Sequence, residues 1–170
     1  MVEQLLEAMI GILDEVANGK MTDPLGASLA AADTSLVESQ YAWNSLTDFH
    51  NNIQSALNIY TGIKGFNPNS STPSVNNYGL YTFVAFSDKA LADQIHTEIK
   101  DAYNAIALID GDNDVTTTEI TSNAQMPFRQ AIKDVNGRTR VQSAIDKLNK
   151  ARSTLETKVK PLIAKTAFSG

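Results

Sequence analysis

Residues 35 to 62, SLVESQYAWNSLTDFHNNIQSALNIYTG, decide the fold. At about 100° per residue, Leu36, Trp43, Leu46, His50, Ile53, Leu57 and Tyr60 gather on one side, the stripe that an α-helix buries against its partners. The spacing predicts one helix of about seven turns, opened by a Ser35-x-x-Glu38 capping box and closed at Gly62. Its other face carries Glu38, Tyr41, Asn44, Ser45, Asp48, Asn51, Asn52, Ser55 and Asn58, and the stretch contains no Lys or Arg. Solvated helix faces normally use Lys, Glu and Arg, whereas Asn, Ser and Asp compete with the helix for backbone hydrogen bonds. Amides, hydroxyls and two carboxylates on one face suit a buried polar network or a binding surface.

Working outward, Leu5, Leu6, Met9, Ile12, Leu13 and Val16 predict a helix over residues 2–18, ended by Gly19 and followed by a loop to Thr34. On the other side, residues 63–77 hold Gly65, Pro68, Pro73 and a run of Ser, Thr and Asn that reads as a loop. Residues 78–86, YGLYTFVAF, fit either strand or helix, and the absence of a second strand candidate favours a short buried helix. Ser87 can cap a helix over 88–109 with Leu91, Ile95, Ile99, Ala102, Ile106 and Ile109 inward. After an acidic loop and a weaker helical stretch at 118–135, broken at Asn136-Gly137, a last helix spans 138–168 and is kinked by Pro161. Four long helices plus shorter ones describe an all-α fold, an antiparallel up-and-down helical bundle forming a single domain over residues 1–170.

Composition narrows the function classes. The chain has 170 residues, 42% of them hydrophobic, with 9 Gly and 5 Pro, which describes a globular domain. Its net charge of −5 argues against nucleic acid or an anionic membrane as partner, since both demand concentrated Lys and Arg. There is no cysteine, so disulfides, thiolate metal sites and cysteine nucleophiles are excluded. Glu3 and Glu7 interrupt the first apolar run, which reads as an amphipathic helix and not a targeting segment. No window approaches the roughly 20 apolar residues of a membrane span.

The polar face is the strongest candidate for chemistry. Glu38, Ser39, Asn44, Ser45, Asp48, Asn51 and Asn52 would surround a small polar ligand or a cation, with Glu38 and Asp48 as the metal-binding carboxylates; a polar layer between packed helices would use the same residues. Asp110, Asp112 and Asp114 alternate as in a calcium loop, but Val115 and Thr121 stand where an EF-hand needs Gly and Glu. His50 and His96 are the only histidines, and His50 falls in the apolar stripe. A Ser45, Asp48 and His50 triad fails because Ser45 and His50, five positions apart on one helix, diverge by about 140°. No Gly-x-Ser-x-Gly elbow or glycine-rich phosphate loop occurs.

The string VES-x-YAWNSLTDFHNNI-x-SALNIYTG, preceded by EVANGKMTDPLG, resembles the second half of imelysin-like proteins, a bacterial family grouped with metallopeptidases and implicated in iron uptake. The likeness continues through PFRQAI at 127–132 and VQSAIDKL at 141–148. Family members are typically about twice this length, and their hallmark Gly-x-His-x-x-Glu motif, in the first half, is absent here. The resemblance therefore implies an isolated second domain or a short relative, and because the motif's His and Glu are the residues proposed to act in the family, it does not assign peptidase activity to this chain alone. It implies that Glu38, Ser39, Asn44, Asp48, Asn51 and Asn52 line a cleft, that iron, zinc or calcium is a candidate cofactor, and that a first-half domain or a second copy is a candidate partner. The expected setting is the bacterial periplasm or outer membrane.

Overall fold

The computed structural model describes residues 1–39, 41, 43–112 and 126–167, with side chains to residue 165. Helices α1 (Val2–Asp14), α3 (Ser45–Thr61), α5 (Lys89–Ala107) and α7 (Val135–Thr154) form the frame, and α2 (Asp23–Leu25), α4 (Leu80–Ser87), α6 (Phe128–Ala131) and α8 (Lys160–Ala167) complete it. Among the described residues there is no strand. Each long helix packs on two others: α1 on α3 and α7, and α5 on α3 and α7, with the α5–α7 interface the largest. This closed square is the helical bundle expected from the periodicity. Phe49, Tyr60, Phe128, Leu13, Ile53, Ile99 and Leu148 meet in its core, where Phe49 and Phe128 stack edge to face at 5.0 Å.

The element boundaries depart from the expected ones in ways that matter for the site. Gly19 does not end the first helix. The chain continues through a π-helical segment, Glu15–Thr22, into α2 and stops at Gly26. The helix expected from Ser35 begins ten residues later, at Ser45. No capping box forms at Ser35, because the Asp33 carboxylate takes both its N–H at 2.8 Å and its hydroxyl at 2.7 Å, folding residues 34–36 into a 3-10 turn. Leu36 and Trp43, assigned to the buried stripe, are 55% and 41% exposed for the same reason.

Residues 78–86 do hold the expected short helix, but Tyr78 and Phe86 face solvent. Asp88, not Ser87, caps α5, accepting the Leu91 N–H at 2.9 Å. Asp134 caps α7, so Asn136 and Gly137 lie in its first turn instead of breaking it. Before Pro161, where a kink is expected, the last helix passes through a second π-helical turn, Leu155–Val159, and then continues as α8. The weaker helical stretch is represented by α6; residues 113–125 lie outside the described residues.

Candidate functional site

The loop from Gly26 to Asn44 returns the chain over the N-terminal end of α3. Two residues turn it: Ser39 at φ 55° and Trp43 at φ 61°, both in the left-handed region that side chains disfavour. With those turns made, the Ser39 hydroxyl donates to Asp48 Oδ2 at 2.6 Å, and the Ser45 hydroxyl donates to the Glu38 carbonyl oxygen. Asn44 occupies the N-cap position of α3 without a side-chain bond to the helix. Asp48 sits in the first turn, where the helix dipole favours a carboxylate. Asn51 and Asn52 follow three and four residues on, on the same side as Asp48, Asn51 exposed and Asn52 half-buried.

The Glu38 carboxylate turns away from this cluster toward the first helix. Lys20 Nζ lies 3.0 Å from Glu38 Oε2 and 3.3 Å from Glu15 Oε1. Residues five apart on an α-helix would diverge by about 140°, but a π-helical turn, closed by bonds between residues five apart, stacks Glu15 under Lys20. Burial opposes the lysine charge, yet hydrogen bonding to Glu38 and Glu15 prevails and holds its pKa above the usual lysine value. From the far side, the Arg129 guanidinium stands 5.1 Å over the Trp43 ring.

Ser39, Ser45, Asp48 and the Glu38 backbone carbonyl are thus brought together by a loop packed on a helix, not by one helical face, while the Glu38 carboxylate pairs with Lys20 outside the cluster. Sequence reasoning missed Glu15, Lys20 and Arg129. The one available signal was the glycine inside EVANGK, which marks a helix whose regular spacing is interrupted.

The remaining amides of α3 do other work: Gln54 and Asn58 hold the following loop through the Phe66 carbonyl and the Gly65 N–H, both at 2.9 Å. His50 is a core residue, its ring 3.7 Å from that of Tyr103, and burial lowers its pKa to about 4. His96 packs edge-on against Phe66 at 5.6 Å. Asp110 is buried at the end of α5, accepts the Asp112 N–H at 3.1 Å, and is pushed up by burial to about 6; Asp114 lies outside the described residues. Among the described residues, no group of three or more His, Cys, Asp or Glu side chains could hold a metal ion. Glu38 and Asp48 supply hard oxygen donors suited to iron or calcium more than to zinc, but they do not by themselves make a complete coordination shell.

The imelysin family model, described as a peptidase family, matches residues 1–155. The chain belongs to the imelysin family. An imelysin peptidase from Bacteroides ovatus, known from its crystal structure, is 27% identical and superimposes with a TM-score of 0.74 over 98% of this chain and 41% of that one. A protein from Parabacteroides distasonis designated an iron-regulated protein A precursor is 26% identical, with a TM-score of 0.60 over 88% of this chain and 38% of that one. This imelysin domain therefore spans about two fifths of the length of those relatives. No protein of curated function matches it. No described helix is long and apolar enough to cross a membrane.

Proposed function

We propose that this imelysin domain is a binding domain serving the uptake of iron or another cation at the bacterial cell envelope, with Glu38, Ser39 and Asp48 as the ligand-contacting groups and Asn44, Asn51 and Asn52 at their border. The observation that carries this reading is the clasp of Ser39 on Asp48, held by two left-handed residues. Backbone strain of about 1–3 kcal/mol per residue is retained where a precise side-chain arrangement is needed. The iron-regulated designation of one structural relative supports the iron connection. The Asp48 carboxylate, and that of Glu38 once it is released from Lys20, would form part of a coordination shell, completed by the cation's own ligands or by a partner; a first-half imelysin domain is the partner suggested by the greater length of the relatives.

Trp43 is the single tryptophan and lies in the site loop, so its fluorescence reports on the site directly. Titration with iron, zinc and calcium in turn is expected to change its emission and to raise the melting temperature for at least one ion. Glu38→Gln combined with Asp48→Asn removes both responses while leaving helicity intact. Absence of either response in the unaltered protein would count against a site complete enough to act alone.

A second reading, a metallopeptidase half that works only with its partner domain, is favoured by the peptidase designation of the other relative. Chelator-sensitive cleavage appearing on mixing with a domain that carries Gly-x-His-x-x-Glu would support it, and no gain over either half would exclude it.

A further inference from the structure

A second pocket, sharing no residue with the cluster above, opens between the loop 67–77, α4 and α5. It is an open surface hollow of about 640 Å³, lined by Ser74, Tyr81, Lys89, Asp93, His96 and Thr97, with Pro73 and Val75 as its apolar wall. Its loop wall is built in. Gln54 donates to the Phe66 carbonyl at 2.9 Å, Asn58 Oδ1 accepts the Gly65 N–H at 2.9 Å, and Asn69 and Asn104 exchange amide hydrogen bonds at 2.9 and 3.0 Å. Side chains from α3 and α5 thereby hold residues 65–69, with Phe66 and Pro68 buried beside them, and so anchor the base of the loop from which the lining residues 72–75 extend.

The chemistry inside is specific. Tyr81 donates its hydroxyl proton to Asp93 Oδ1 at 2.8 Å, and Lys89 Nζ reaches Asp93 Oδ2 at 2.6 Å. The carboxylate is thus oriented from both sides, with a lone pair left on each oxygen, while the ammonium keeps further N–H donors. Burial and the nearby Lys100 hold the His96 pKa below its usual value, so that ring adds polarity without charge near neutral pH. One cation and one anion cancel, which leaves a pocket with no net charge to attract a free ion. What it presents is an acceptor and a donor side by side, flanked by hydroxyls and by Val75, which is 53% exposed.

We propose that this pocket binds a saccharide: the Asp93–Lys89 pair spans two adjacent ring hydroxyls, one donating to the carboxylate and one accepting from the ammonium, while Val75 and Pro73 meet the C–H face of the sugar. Adjacent hydroxyls match a fixed donor-acceptor pair, and a sugar's apolar face matches the mixed lining. A pair whose charges cancel gives a free organic anion little net attraction, whereas neutral hydroxyls use the spare lone pairs and N–H donors directly.

Chemical-shift titration of the isotope-labelled protein with methyl glucoside, maltose and lactose tests the assignment, with glutamate and citrate as charged controls. At least one sugar is expected to shift the amides of Ser74, Tyr81, Asp93 and Thr97 in a saturable way. Asp93→Asn and Lys89→Met should each weaken that binding about tenfold, the size expected for loss of a charge-assisted hydrogen bond. Both positions are exposed on α5, so these variants keep the fold. Asp48→Asn, in the other site, should leave sugar binding unchanged. Failure of all three sugars, equal affinity in Asp93→Asn, or stronger binding of glutamate or citrate would each overturn the proposal.

Discussion

Two buried titratable residues set opposite pH dependences that would pass unnoticed in the unaltered protein. His50 has its pKa lowered from 6.5 to about 4 by burial, so the unfolded chain takes up a proton that the native state refuses, and stability falls as pH drops from about 6.5 toward 4. Asp110 has its pKa raised from 3.8 to about 6, so the native state holds a proton that the unfolded chain releases, and stability rises over nearly the same descent. The two slopes oppose each other. Asp110→Asn is therefore expected to expose the histidine, with a steep loss of stability between pH 6 and 4 measured by urea unfolding, and His50→Gln to reverse the trend. Also at this scale, Ser39→Ala removes a hydrogen bond to a charged acceptor and should cost about 2 kcal/mol. Because the Glu38 carboxylate is engaged by Lys20 and that of Asp48 by Ser39, the first effect should not propagate to Glu38.

Individual elements depend on close backbone approaches that composition does not reveal. Gly62 ends α3 in the left-handed conformation, φ 71°, and its N–H contacts the position a Cβ would occupy on Gly79, just before α4. Tyr60 O and Thr61 C crowd the same point. Gly79→Ala must push α4 off the end of α3 and is expected to destabilise the protein by about 2–3 kcal/mol, read as a lowered melting temperature with unchanged helicity below the transition. The end of α2 is secured differently. Arg138 Nη2 donates to the Gly26 carbonyl at 2.9 Å, and Nη1 donates to the Leu25 carbonyl and, at 3.1 Å, to that of Ile132, placing a cation where helix carbonyls end. This clamp holds the root of the site loop, and Lys133 Nζ on the Ala32 carbonyl at 2.7 Å holds its middle.

For the whole molecule, one apolar cluster runs from Leu6 to Ile163 through all four long helices, which predicts a single cooperative unfolding transition. Far-UV circular dichroism and Trp43 fluorescence should report the same midpoint in urea; separated midpoints would show that the site loop opens independently. The sequence by itself determined the class of fold, because three-four spacing of Leu, Ile, Val and Ala in α1, α5 and α7 admits only helices with one buried face. It also determined family membership through EVANGK and NSLTDF, and the residue types available to a site. Tertiary structure decided which of those residues come together. Periodicity carried the α3 pattern back to Ser35, since nothing local marks Ser39 and Trp43 as left-handed; in the folded chain those residues meet Asp48 and Arg129, contacts that residue spacing does not reveal. The pairing of Lys20 with both Glu38 and Glu15 likewise accompanies the π-helical turn at Glu15–Thr22, which packs against α7 and is invisible to a count at about 3.6 residues per turn.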